Sequence, residues 1–240
     1  MGTAVDTLPR MARTLSSDDI YDRVKAMAAR FEFRPNERIN EIELSRALSV
    51  SRTPLREVLN RLMVEGFLTR EQNKGFVGRA LDPQDVLDLY EFRRGIETCT
   101  LALACQRASD AQVADLEAFT RRSTDVPEDE DATKLVALDE EFHLRIAHMT
   151  GNAEYERALR NINSRIHYIR WVDMQKRRSR TQAEHMAIVQ AIKARSLPTA
   201  TELLERHITR RLDQIVEVVK AGYAEIYTRP GRAAPGARNP

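Results

Sequence analysis

Cysteine is almost missing from this chain. Among its 240 residues only Cys99 and Cys105 carry a thiol. They fall on one predicted helix at poorly matched angles, so a bridge between them is not expected. That excludes a disulfide framework, and the lack of CxxC spacing excludes a thiolate zinc site. Two buried thiols in a reducing compartment are the expectation. Long apolar runs are missing as well. No segment reads as a transmembrane helix, and the first residues lack the apolar centre of a signal peptide. The expected location is cytoplasmic, with no membrane partner. Charge of one sign does not prevail either, since 38 Lys and Arg face 36 Asp and Glu. Any nucleic-acid binding must therefore come from a local basic face rather than a global field. No internal repeat of 20–50 residues is evident.

What is present is an ordinary globular balance, 42% apolar and 31% charged, on a chain long enough for two modest cores. The most informative stretch is Glu41–Gly66. Ile42, Leu44, Ala47 and Leu48 return at helical spacing, and after the break Ser49-Val50-Ser51 so do Leu55, Val58, Leu59, Leu62 and Met63. Two short helices with one buried face each are predicted, with Val50 plugging the corner between them. Ser51 reads as the N-cap of the second helix, and Pro54 sits in its first turn, where a missing N–H costs least. This is a helix-turn-helix, whose second helix can enter the major groove of DNA. Ser51, Arg52, Thr53 and Arg56 cluster at the N-terminal end of that helix, where free backbone N–H groups and a positive dipole suit phosphate. Arginines there can grip phosphate or read guanine edges. Two β-prone runs follow, Gly66–Arg70 and Gly75–Arg79, joined by the polar turn Glu71–Lys74. A hairpin behind a helix-turn-helix makes a winged helix, with Asn73-Lys74-Gly75 at the wing tip.

Upstream, Ser16-Ser17-Asp18-Asp19 reads as a helix start, and Ile20, Val24, Met27, Ala28 and Phe31 as the buried stripe of a first helix. Downstream, Asp82 is an expected N-cap with Pro83 at the first helical position. From there strand signals vanish. Helices are predicted over roughly 83–107, 110–124, 130–149, 152–178, 179–196 and 198–227, joined by short connections. The expected fold class is mainly α: an N-terminal winged helix-turn-helix domain plus a C-terminal all-α antiparallel helical bundle. The predicted boundaries are a flexible tail over 1–17, the winged helix over 18–79, a linker over 80–83, the helical domain over 84–227 and a disordered tail over 228–240.

Histidine is rare, with five in the chain, and three of them stand in apolar stripes. Asp139 and His143 lie four apart on one helical face. His185 is set among Ile188, Val189 and Ile192, and His207 among Leu203, Leu204 and Ile208. A single such histidine is commonly a hydrogen-bonded core residue. If the helices are neighbours, however, one carboxylate and three imidazoles can converge on a divalent transition metal. His148 and His167 have no matching role. Arg93, in Tyr90–Glu97, either holds a carboxylate or pairs with Glu97 on the surface. Asn152, Arg170 and Trp171 either reach a pocket or merely cap and pack.

The stretch SRTPLREVLNRLMVEGFL resembles the most specific part of the GntR family of bacterial transcription regulators, and the likeness spans roughly Asp18–Arg79. It implies DNA contacts from Arg52, Thr53, Arg56 and the wing tip. Ile42 departs from relatives that carry Arg there for the phosphate backbone. The pattern DxxxH, then HxxIVxAI, then His before an apolar residue is similar to the FCD ligand-binding domain of FadR-type members, from about Pro83 to Tyr227. That resemblance implies zinc or nickel on Asp139, His143, His185 and His207, with Arg93 facing an effector, and Asn152 is a further candidate for that contact. The implied function is a transcription regulator, expected to be a repressor, that binds double-stranded operator DNA as a homodimer under control of a small organic acid. The alternative is a metal-dependent hydrolase or lyase of small carboxylates, since such a centre can activate water. HExxH, GxSxG, a phosphate-cradling loop and a Ser-His-Asp constellation are all missing, and an enzyme would leave the winged helix unexplained.

Overall fold

The computed structural model describes residues 15–124, 127, 130–174, 181–209 and 215–228. Of the tails predicted over 1–17 and 228–240, residues 1–14 and 229–240 lie outside the described residues. Helix α1 (Ser17–Ala29) opens on a reciprocal cap: Ser16 Oγ accepts from the Asp19 N–H at 3.1 Å while the Asp19 carboxylate accepts from the Ser16 N–H at 3.0 Å. The predicted tail therefore ends earlier than Ser17. Helix α2 (Glu41–Leu48) is capped by Asn40, whose Oδ1 accepts from Ile42 and Glu43. Ser49 then takes a left-handed conformation, φ 55°, and turns the chain into α3 (Arg52–Val64). Val50 packs at the corner as expected. Ser51 stands at the N-cap position with extended backbone, but its hydroxyl makes no cap hydrogen bond.

The buried face of α3 is Leu55, Val58, Leu59 and Leu62. In α2 the stripe is narrower than predicted: Leu44 and Ser45 are buried, whereas Ile42, 45% exposed, and Ala47 face solvent. A two-turn helix on the outside of α3 has only one row of side chains to bury. The wing is β1 (Leu68–Glu71) paired antiparallel with β2 (Gly75–Gly78), Leu68 opposite Gly78 and Glu71 opposite Gly75. The segment after α1 lies along β2, with Ile39 donating to the Phe76 carbonyl at 2.9 Å and Gly78 donating to the Glu37 carbonyl at 3.0 Å. A Cβ on Gly78 would meet the Arg34 carbonyl at 2.3 Å, so only glycine permits this approach.

The second half is a helical bundle. Helix α4 (Pro83–Arg107) starts on Asp82, whose carboxylate accepts from Gln84 and Asp85, with Pro83 in the first turn. Against it pack α6 (Ala132–His148), α7 (Ala153–Met174), α8 (Thr181–Lys193), α9 (Leu197–Thr209) and α10 (Ile215–Thr228), while α5 (Asp110–Thr124) packs on α6 and α8. The helix predicted over 198–227 is described as two, α9 and α10, with 210–214 outside the described residues. The ends predicted at 175–178 and 179–180 lie outside them too. Cys105 is buried, but Cys99 is exposed, and both are free thiols.

Helix α7 forms the seam between the halves. The stripe predicted to run through Phe31 stops at Ala29. Arg30 caps α1, and Phe31 takes φ 54°, a left-handed backbone that a bulky residue rarely adopts. Its side chain leaves the winged-helix core and enters the core of the bundle, its ring centroid 5.3 Å from that of Tyr168, with the Arg79 guanidinium 4.7 Å from the ring on another side. Arg79 also donates to the Arg165 carbonyl, and Asn161 donates to the Glu65 carbonyl at 3.4 Å. Leu81, within the predicted linker, is buried in the bundle.

Candidate metal centre and nucleic-acid interface

Helical spacing puts Asp139 and His143 one turn apart on α6, and the packing of α8 against α9 brings His185 and His207 to them. All four are buried, and one ligand atom from each lies within 4.8 Å of the others. The His185 Nε2 is 3.3 Å from Asp139 Oδ1 and 3.4 Å from His207 Nε2. The His207 Nε2 is 3.9 Å from the same Asp139 oxygen, and the His143 Nε2 is 3.8 Å from Asp139 Oδ2. Phe142 stacks on His185 with ring centroids 3.8 Å apart and holds its plane.

Two carboxylates set the other edges of the imidazoles. Glu97 Oε2 is 2.5 Å from His143 Nδ1, and Glu184 Oε2 is 2.8 Å from His207 Nδ1. A carboxylate offers only acceptors, so each contact places a proton on Nδ1 and leaves Nε2 with its lone pair toward the cluster. Burial alone would raise the Glu97 carboxyl. Arg93 and then His143 beside it outweigh that and hold it well below the ordinary carboxylate range. This donor set fits a divalent transition ion: three imidazole Nε2 atoms and one carboxylate, two of the rings oriented from behind. Neither Glu97 nor Glu184 carries a ligand signal in the sequence. Both are set only by packing between helices.

Arg93 does pair with Glu97, four residues on, but the pair is buried rather than on the surface. The Arg93 Nη2 has no hydrogen-bond partner among the described residues. Arg170 is fully buried and contacts Asp139, with Glu140 3.5 Å from its Nη1. Asn163 shares the inward face of α7 with Arg170 by helical spacing, and neither end of its amide has a partner among the described residues. An unpartnered buried amide is costly. The sequence reading passed over Asn163, and its place in a run of polar residues gave no sign of burial. Asn152, expected to reach an effector or to cap, is exposed at the start of α7, and its Oδ1 accepts from the Glu154 N–H at 3.0 Å, as a helix cap does. His148 is exposed beside Glu156, and His167 meets Glu140 at 3.2 Å.

At the other end of the molecule Ser51, Arg52, Thr53 and Arg56 are all exposed on the first turns of α3. Glu41 lies 3.9 Å from the Arg56 Nε. Asn73, with φ 71°, and Lys74 are exposed at the wing tip, and Gly75, with φ 79°, closes it. Arg38 is exposed next to the wing, where its backbone bridges to Val77. Periodicity alone had no means to place it there.

Comparison with known proteins covers both halves of the chain. Residues 16–77 match the model for bacterial regulatory proteins of the gntR family, and residues 88–210 match the FCD domain. The chain is 43% identical over 203 residues to the Nta operon transcriptional regulator of Aminobacter aminovorans, covering 85% of this chain and 96% of that one. It is 26% identical to the HTH-type transcriptional repressor GlaR of Escherichia coli (strain K12), over 87% of this chain and 99% of that one. The fold is that of E. coli McbR/YncC, with TM-score 0.70 at 16% identity, covering 85% of this chain and 99% of that one. It is also that of a putative GntR regulator from Rhodococcus sp. RHA1, with TM-score 0.67 at 22% identity over 84% and 97%. These relatives are regulators, and the hydrolase or lyase alternative falls with them. The chain belongs to the gntR family of bacterial regulatory proteins, a DNA-binding transcription regulator whose C-terminal FCD domain is its ligand-binding half.

Proposed function

We propose that the chain is a homodimeric repressor whose grip on a two-fold operator is controlled by a small organic acid at a metal centre. Residues 18–79 bind DNA through Ser51, Arg52, Thr53, Arg56 and the wing tip Asn73-Lys74-Gly75. Residues 84–227 bind the effector. Asp139, His143, His185 and His207 hold a divalent ion, zinc or nickel, which when bound offers a Lewis-acid position to an effector carboxylate oxygen. Arg93 and Asn163 supply further donors within the bundle. One recognition helix reads few base pairs, so useful specificity calls for two half-sites. The name of GlaR as a repressor supports the direction.

The observation that carries this reading is the convergence of four buried ligand atoms within 4.8 Å, two of the imidazoles held by carboxylates. Burying such groups costs stability, which binding an ion offsets. The test combines metal analysis with DNA binding. Purified protein should contain about one zinc or nickel per chain. At about a hundred times its dissociation constant the ion should add about 2.7 kcal/mol of stability, so chelation should lower the melting temperature. His207→Ala should abolish that response, and His148→Ala should leave it. On DNA selected from a random pool, citrate or acetate should change retention by the metal-loaded protein only. Metal-free protein with melting and DNA retention indifferent to chelator and carboxylate would overturn the reading.

A further inference from the structure

We infer a second ligand site, for a planar aromatic carboxylate, in the cavity where the winged helix meets the bundle. The cavity measures about 380 Å³ and is lined by Arg30, Phe31 and Arg34 on one side and by His167, Tyr168 and Trp171 of α7 on the other. That volume lies within the range of small-molecule pockets and suits one or two rings. None of the four proposed metal ligands lines it, so it is separate from the metal centre.

Its chemistry is of two kinds. The aromatic wall is Phe31, Tyr168 and Trp171, with the Tyr168 and Trp171 planes only 21° apart and their centroids 6.0 Å apart. Near-parallel rings favour a flat guest lying against their faces. The polar wall carries two arginines and His167, against Glu32 as the one acidic side chain in the lining. Arg34 has a long 3.7 Å contact with Glu37 and Arg30 is exposed, so neither guanidinium is locked into a buried pair. Guanidinium groups take carboxylates bidentately, and a point cation would not impose that planar geometry.

The position gives the site a consequence. Phe31 holds a left-handed backbone, and such strain in a bulky residue is a feature of ligand clamps and switches. A guest pressing on Phe31 acts on an aromatic ring that the DNA-binding half lends to the core of the bundle. On the opposite wall His167 meets Glu140, Glu140 meets Arg170, and Arg170 contacts Asp139 of the metal centre. The cavity is thus joined to the winged helix through Phe31 and to the metal centre through the chain His167, Glu140 and Arg170.

Trp171 is the single tryptophan of the chain, so its emission reports the cavity directly. Benzoate titrated into full-length protein should give a saturable change in that emission, with or without chelator. Cyclohexanecarboxylate, lacking the flat ring, and benzyl alcohol, lacking the charge, should each bind at least about tenfold more weakly, the loss of one good contact. The double variant Arg30→Gln/Arg34→Gln should weaken benzoate by about tenfold or more. Thr133→Tyr, filling the rim from α6, should block it with the circular dichroism unchanged. No saturable change up to tens of millimolar would overturn the site. So would a response that disappears on chelation, which would place benzoate at the metal centre instead, or one that survives both variants. Failure here leaves the metal-dependent reading standing, because that reading predicts loss of the carboxylate effect on chelation.

Discussion

The two halves of the molecule bury different things. Among the described residues from 15 to 79, Ser45 is the one buried polar side chain, and Leu44, Leu55, Leu59, Leu62 and Phe67 make a dry core. The bundle buries Arg93, Glu97, Asp139, His143, Asn163, Arg170, His185 and His207. The difference follows from where each partner comes from. DNA arrives from outside, so the first half keeps Arg52, Arg56 and Lys74 on the surface and can fill its core for stability alone. A small ligand goes inside, so the second half must carry polarity in its interior and accept the desolvation cost. Buried polarity therefore points to the ligand-binding half before any relative is consulted.

The sharpest way to break this contrast is to remove one buried charge. Glu97→Ala strands Arg93 and frees His143, and should cost about 3–5 kcal/mol in urea unfolding. The double variant Arg93→Met/Glu97→Leu should recover most of that stability and yet bind metal as weakly as the single variant. Recovery of both would mean that the pair serves packing and not the centre. In the dry half, Leu59→Ala should cost about 2–5 kcal/mol by leaving a cavity. Its metal affinity, measured by chelator competition, should be that of the parent.

How much of this contrast was legible in the sequence depends on distance along the chain. The helix-turn-helix and the Asp139–His143 pair were legible because each depends on spacing within one or two turns. Glu97 and Glu184 were not, since their roles come from helices that meet only in the folded bundle. Arg93 was read as a choice between effector and surface pair and turned out to be a buried pair, because burial of a charged residue depends on what packs over it. Phe31 fitted the α1 stripe by period alone, and tertiary packing overrode that stripe two residues after the helix ended. Asn152 kept to the local rule and capped a helix.

Smaller effects sharpen the same comparison. Arg56→Ala should weaken binding at the specific site by about 1–3 kcal/mol and relax preference at one base pair, with melting unchanged. Arg52→Ala should weaken all sequences alike and reduce the salt slope by about one. A gel-shift series across salt concentrations separates the two. Glu184→Gln keeps the volume but loses the charge behind His207, and should loosen metal binding by about 10- to 100-fold in the same chelator competition. The smallest effect concerns Glu117, which ties α5 to α8. Hydrogen bonds from Lys193 and then Arg121 hold its carboxyl down at about 2, below the ordinary 4.5. A folded value below the unfolded one adds stability that is complete above about pH 4.5 and lost as pH falls toward 2. Glu117→Gln should therefore lower the melting temperature slightly at neutral pH, flatten the profile over that window, and converge with the parent near pH 2.

The passage from wing to bundle has no slack. Between Gly78, pinned by its contact with Arg34, and Pro83 at the start of α4, Leu81 is buried and Asp82 is a cap. A tether without spare residues transmits torque rather than reach. In the proposed dimer the angular phase between the two recognition helices would then be set by the protein. Adding one base pair between half-sites turns one of them by roughly 35° about the DNA axis, which this joint cannot absorb by extending. Operator spacing should therefore be tolerated in whole turns of DNA and rejected in single steps.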